Sequence, residues 1–222
     1  MIVAEQKPIE RLLEMIEPFG SILIAGCGTC VTVCSTGGEK EVGILASALR
    51  LACAARGWDK TFDEVTITRQ CDAEFIEPIK ELIAQHDAVI SIACGVGINY
   101  VSELSPDTPI FPGVDTTFIG ANVALGVWEE RCAECGDCIL DRTGGICPVA
   151  RCAKTILNGP CGGTNDGMCE VDPDTPCAWA LIVERMKQLG TLDKLSEIQQ
   201  AKDWSTSRDG GPRKMEREDL KL

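Results

Sequence analysis

The residues best equipped for chemistry are the cysteines, 14 in a chain of 222. The first group is Gly26-Cys27-Gly28-Thr29-Cys30-Val31-Thr32-Val33-Cys34, a C-x2-C-x3-C arrangement between an expected strand and an expected helix. Its glycines let backbone approach a bulky ligand, and a helix N-terminus favours negative charge. A polythiolate metal cluster is such an anion. A dinucleotide fingerprint would need a third glycine where Val31 stands, so the nucleotide reading is weak. The bland alternative is three buried, inert thiols at a strand end. Cys53, mid-helix among apolar neighbours, is read that way.

The second group is Cys132-x2-Cys135-x2-Cys138, followed by Cys147-Pro148. Bacterial ferredoxins use C-x2-C-x2-C-x3-C-P, in which thiols wrap an iron–sulfur cubane. Here eight residues, not three, separate the third and fourth cysteines, which leaves the fourth ligand open. Cys152, Cys161, Cys169 and Cys177 supply more thiols than one cluster needs. Two sites, or one cluster plus zinc, both fit the count, with disulfides as the weaker alternative. Apart from Cys53, every cysteine is a candidate cofactor contact.

Other chemistry is poorly provided for. The one histidine, His86, restricts any multi-ligand soft-metal site to thiolates, hence to iron–sulfur or four-cysteine zinc. No Ser/His/Asp set and no C-x3-C-x2-C radical motif is present, and the carboxylates lack a distinctive spacing. The net charge of −13 argues against a nucleic-acid partner, which needs clustered Lys and Arg. The longest apolar-leaning run, Ser21 to Cys34, is 14 residues, against the ~20 that span a bilayer. The charged opening MIVAEQKPIERLLEMIE has no targeting pattern. A cytoplasmic protein with no membrane partner is expected, in a reducing compartment where structural disulfides are rare.

The elements that must position these thiols alternate. A helix over 9–17, a strand over 21–26, a helix over 39–56 stopped by Gly57, a strand over 62–68 and a helix over 74–85 carrying Pro78 are expected. A buried strand over 87–93, a helix near 98–104 and a short strand near 109–111 follow. Alternation of this kind means βαβ units and a parallel sheet. The expected fold is α/β: a small Rossmann-like domain (1–130), a cysteine-rich, metal-stabilised domain (131–190) and a polar tail (191–222). Cys27, Cys71 and Cys94 each follow a strand, and strand carboxyl ends converge on the ligand-binding edge of such a sheet. The preferred first ligand set is Cys27, Cys30, Cys34 and Cys94, with Cys71 as a neighbouring or substitute thiol. The second is Cys132, Cys135 and Cys138 plus a later thiol, assigned to Cys177. The helix over 178–189 is expected to dock on something. The tail after Ser196, with Trp204 as its large apolar anchor, is expected to stay loose unless a partner orders it.

The strings GCGTCVTVCSTGGEKEV, RQCDAEF, SIACGVG, WEERCAECGDCILDRTGGICPVARCAKTILNGPCGG and CEVDPDTPCAW resemble the MetV-type small subunit of bacterial methylenetetrahydrofolate reductase, over about residues 18–190. The cysteine-rich part also resembles the domain appended to fused forms of that reductase. The resemblance implies an electron-transfer subunit, not itself catalytic, carrying two or three 4Fe-4S clusters, with zinc an option because the family's domain has been labelled zinc-binding. It implies a flavin (FMN) subunit as partner, which reduces methylenetetrahydrofolate to methyltetrahydrofolate in the Wood–Ljungdahl pathway, and ferredoxin or another protein as donor. The competing functions are a zinc-stabilised scaffold and a zinc-thiolate methyl-transfer site.

Overall fold

In the computed structural model, which describes residues 1–220, the chain divides into two units, Met1–Glu129 and a second from Glu130. The centre of the first is the run Ile22–Ala25, no residue of which is more than 2% exposed. A strand apolar on both faces must be covered on both, the condition met by parallel sheets. This strand, β2 (Ser21–Cys27), lies between β3 (Thr61–Ile67) and β4 (Ala88–Ser91), and β5 (Ile110–Pro112) completes the order β3-β2-β4-β5, all parallel.

Alternation sorts the side chains between two layers. Ile22, Ile24 and Ile90 pack with α1 (Ile9–Ile16) through Leu12, Leu13 and Ile16, and with α3 (Glu39–Ala55) through Val42, Leu45 and Leu49. Here α2 is the single turn Cys30–Val33. Leu23, Ala25 and Val89 face the other way, onto Ile76 of α4 (Ala73–Ile76), Ile83 of α5 (Lys80–Ala84) and Val101 of α6 (Gly95–Leu104). The expected α/β architecture is the observed one.

Helix α3 stops where expected. Gly57 sits at φ 70, the Trp58 amide donates to the Cys53 carbonyl, and the Gly57 amide donates to that of Ala54. That is the paired-bond helix ending that glycine permits. The single helix expected over 74–85 is broken instead. A 3-10 turn at Glu77–Ile79 separates α4 from α5, because Pro78 supplies no amide donor.

A second, three-stranded sheet of order β1-β6-β7 was not expected: β1 (Ile2–Gln6), β6 (Val114–Ala124) and β7 (Val127–Cys132). Strand β1 precedes α1, so the chain opens on a strand rather than a helix, and it pairs antiparallel with β6 across a bulge at Val3/Ala4.

The second unit has a small apolar core of Cys177, Trp179, Ile182 and Met186, backed by Ile146, Cys152, Ala180 and Leu195. Three of the four core residues lie on its longest helix, Ala178–Gln188. With α7 given by Pro148–Arg151, this helix is α8. Trp179 is pinned by its indole N–H, which donates to the Ile156 carbonyl at 2.9 Å. The stripe expected to dock elsewhere is therefore the core of its own unit. The tail is not loose either: it forms 3-10 turns at Trp204–Thr206 and Arg208–Gly210 and hydrogen-bonds back onto the unit. Among the described residues, no helix is long and apolar enough to cross a membrane.

Candidate functional site: a thiol-lined cavity and a cysteine-rich unit

Strand β2 ends at Cys27, and the loop after it folds back under the sheet edge. The Cys27 amide donates to the Gly37 carbonyl at 2.8 Å, and the Gly28 amide to the Ile67 carbonyl at 2.8 Å. Gly37 is pressed so closely on the Ile92 carbonyl that no Cβ would fit. This fold-back, with the loops after β3 and β4, borders a cavity of about 130 Å³ that opens to solvent and has almost wholly apolar walls. Four thiols line it: Cys27, Cys30, Cys71 and Cys94. Cys27 is buried, Cys30 and Cys94 are half-buried, and Cys71 is exposed.

Cys34 goes elsewhere. Val31 and Cys34, three apart, share the inward face of α2 and are both buried. The Cys34 thiol lies 3.1 Å from the Thr36 hydroxyl and 3.6 Å from the Val31 carbonyl, and lines a separate groove with Val3, Phe118 and Trp128. The third cysteine of the C-x2-C-x3-C loop thus lies outside the cavity, and Cys71 lines it. The Cys71 thiol is pushed up, first by desolvation and then by its neighbours Cys94 and Cys27, while Arg69 pulls the other way.

Two positioning devices escaped sequence reading. Gln70 is fully buried, and its amide nitrogen donates to the carbonyls of Ala25 and Gly26, both at 3.1 Å. Its carbonyl accepts from the Ser91 hydroxyl at 2.6 Å. This bridge ties the residue before Cys71 to the ends of β2 and β4. At the other wall, the Thr116 hydroxyl of β6 accepts the Gly95 amide at 2.8 Å, holding the start of α6 beside Cys94. A glutamine before a cysteine carries no pattern, and the Thr116 contact depends on the unforeseen sheet. Replacing Gln70 with leucine removes one donor from each of the Ala25 and Gly26 carbonyls and the acceptor of the Ser91 hydroxyl, all inside the core. We expect Gln70→Leu to lose about 1–3 kcal/mol in urea unfolding, and a loss under about 0.5 kcal/mol, the size of an ordinary surface change, contradicts the bridge.

His86 lies outside the cavity. Its Nε2 is 2.9 Å from the Asp63 carboxylate and its Nδ1 2.8 Å from the Leu82 carbonyl, a bracket between β3 and α5. Cys53 is buried and its thiol is pushed up, chiefly by that burial, as an inert core thiol should be.

In the second unit the loops around the cysteines turn their amides toward sulfur. Cys132, Cys147 and Cys161 each accept a backbone N–H, from Glu134, Ala150 and Gly163 respectively, all at 3.4 Å. Glu134, Gly136 and Gly162 have φ of 52, 77 and 79, the left-handed turns that gather N–H groups into anion-holding concavities. Cys132, Cys138 and Cys161 are exposed, Cys135, Cys147, Cys152 and Cys169 half-buried, and Cys177 buried at the start of α8. Among the described residues, no three Cys, His, Asp or Glu side chains close on a single-ion geometry. In the first unit the thiols ring a space instead. A tetrahedral zinc, with bonds of about 2.3 Å, would draw its sulfurs to about 3.8 Å of one another. The four thiols at this cavity are all soft donors, the kind that an iron–sulfur group or a zinc ion takes.

Fold and site together define a class: an α/β unit with thiols gathered at its strand ends, continued by a unit built around cysteine loops. Residues 111–205 match the family model described as "Methylene-tetrahydrofolate reductase C terminal", which relates that part of the chain to methylenetetrahydrofolate reductase and to one-carbon metabolism. Nothing matches the chain among curated proteins or solved structures.

Proposed function

We propose that the chain is an iron–sulfur electron-transfer partner of a flavin-bearing methylenetetrahydrofolate reductase subunit. The observation that carries the proposal is the gathering of Cys27, Cys30, Cys71 and Cys94 around one apolar cavity. Four thiolates are the donor set of a 4Fe-4S cluster, and dry walls with backbone donors are what tune its potential. When bound, such a cluster supplies one-electron transfer. The chain's own residues hold the thiols against apolar walls, with the Gln70–Ser91 bridge and Thr116 fixing those walls. In the second unit Cys132, Cys135 and Cys138 form a second set, the fourth thiol coming from Cys147, Cys152, Cys161, Cys169 or Cys177. The match over residues 111–205 supports the link to the reductase. The flavin and the folate site then belong to the partner, and a ferredoxin-like protein is the proposed donor, in the acetogenic pathway that the sequence resemblance implies.

Anaerobically purified chain should be coloured, contain about four irons and four sulfides per cluster, and bleach reversibly with dithionite. Colourless protein holding only zinc overturns the proposal and favours a zinc-stabilised scaffold or a zinc-thiolate methyl-transfer site.

A further inference from the structure

The tail from Lys202 onward, which straddles the end of the matched family region at residue 205, returns to the second cysteine triple. The Thr206 hydroxyl donates to the Cys135 carbonyl at 2.8 Å. The Lys202 ammonium donates to the Asp137 carbonyl at 2.6 Å and lies 3.4 Å from the Asp137 carboxylate, with only 3% of its side chain exposed. Arg213 donates to the Glu134 carbonyl at 3.3 Å and to the Thr206 carbonyl at 2.9 Å. Ser207, 4% exposed, closes the turn by donating to the Trp204 carbonyl at 2.6 Å. Gly136 lies so close to the Thr206 carbonyl that a Cβ there would collide with it. Three tail side chains thus hold three carbonyls of one short loop.

Holding those carbonyls sets the loop's amides. In a trans peptide the C=O and the following N–H point in opposite directions. With the carbonyls of Glu134, Cys135 and Asp137 drawn to the tail, the amides of Cys135, Gly136 and Cys138 are turned to the opposite side of the loop. The left-handed turn at Glu134, uncommon for a residue other than glycine, needs such outside support. Lys202 and Arg213 also bring two cations to a loop that three thiolates would make strongly negative.

We propose that the segment from Lys202 to Arg213 is a clamp that sets the Cys132–Cys138 loop in its metal-holding shape, with Thr206 and Lys202 as positioning residues. The proposal rests on the metal reading of that loop. Partners of this outer kind change metal retention by about 10–100-fold when lost. The test is the rate of metal release to a chelator from anaerobic full-length chain, wild type against Thr206→Val, Lys202→Met and Thr206→Ser. The release phase belonging to this loop is the one missing in Cys135→Ala. Thr206→Val and Lys202→Met should speed that phase about tenfold or more and leave the other phase unchanged, and Thr206→Ser should restore it. Wild-type release in both variants, or equal acceleration of both phases, overturns the clamp. Full metal content in Cys135→Ala overturns the metal reading of the loop itself, and the clamp with it.

Discussion

Cys71→Ala is expected to hold about four fewer irons than the wild-type chain, whereas Cys34→Ala should keep the full complement. The two residues exchange the roles that spacing alone assigns them. Cys34 completes C-x2-C-x3-C, yet its thiol is buried beside Thr36 and faces another groove. Cys71 belongs to no local motif, yet it lines the cavity with Cys27, Cys30 and Cys94. Iron analysis of the two variants after identical anaerobic purification decides the matter. Loss of iron in Cys34→Ala together with full iron in Cys71→Ala would contradict the cavity assignment. Cys53→Ala is the control, since that thiol sits in the core among apolar side chains.

Metal removal should split the molecule's behaviour in two. The first unit has two apolar layers on a parallel sheet, with Ile22, Leu23 and Ile24 fully buried. Its stability is expected not to depend on a ligand. The second has one small core of four buried residues, from Cys177 to Met186. Burying such side chains contributes roughly 1.5–3 kcal/mol each, little against an ordering cost of about 1–2 kcal/mol for every residue fixed. A structural metal site can supply the difference, about 10 kcal/mol or more. After exhaustive chelation, limited proteolysis should therefore cut within residues 132–177 and leave residues 20–120 intact. Equal resistance of both regions in metal-free protein contradicts the idea that metal holds the second unit together.

Much of the first unit is legible in the sequence because its signals are local. Continuous apolar runs such as SILIA, a glycine stop at Gly57 and strand–helix alternation specify the parallel sheet. They also place Cys27, Cys71 and Cys94 after three strands. What the sequence hides is whatever depends on distant pairing or on a single side chain's direction. Strand β1 is five residues without strict alternation, and it finds its partner in β6, more than a hundred residues on. Strand β6 mixes polar and apolar residues without strict alternation and is mostly exposed or half-exposed, so its pattern resembles a loop. The direction of Cys34 follows from the inward face it shares with Val31 on a one-turn helix, which a spacing rule does not contain. Gln70 and Thr116 act through tertiary hydrogen bonds alone. The tail looks loose because its composition is polar, but its order comes from side chains gripping backbone carbonyls rather than from apolar burial.

If the proposal holds, this chain carries electrons to a flavin subunit that reduces methylenetetrahydrofolate. Reconstitution tests it most directly. The flavin subunit is to be assayed with a reduced ferredoxin-type donor, alone, with the cluster-loaded chain, and with the metal-free chain. Folate reduction by the protein donor should appear only with the loaded chain, while an artificial dye should drive the flavin subunit without it. Equal restoration by the metal-free chain would rule out electron transfer through this protein and make it a scaffold.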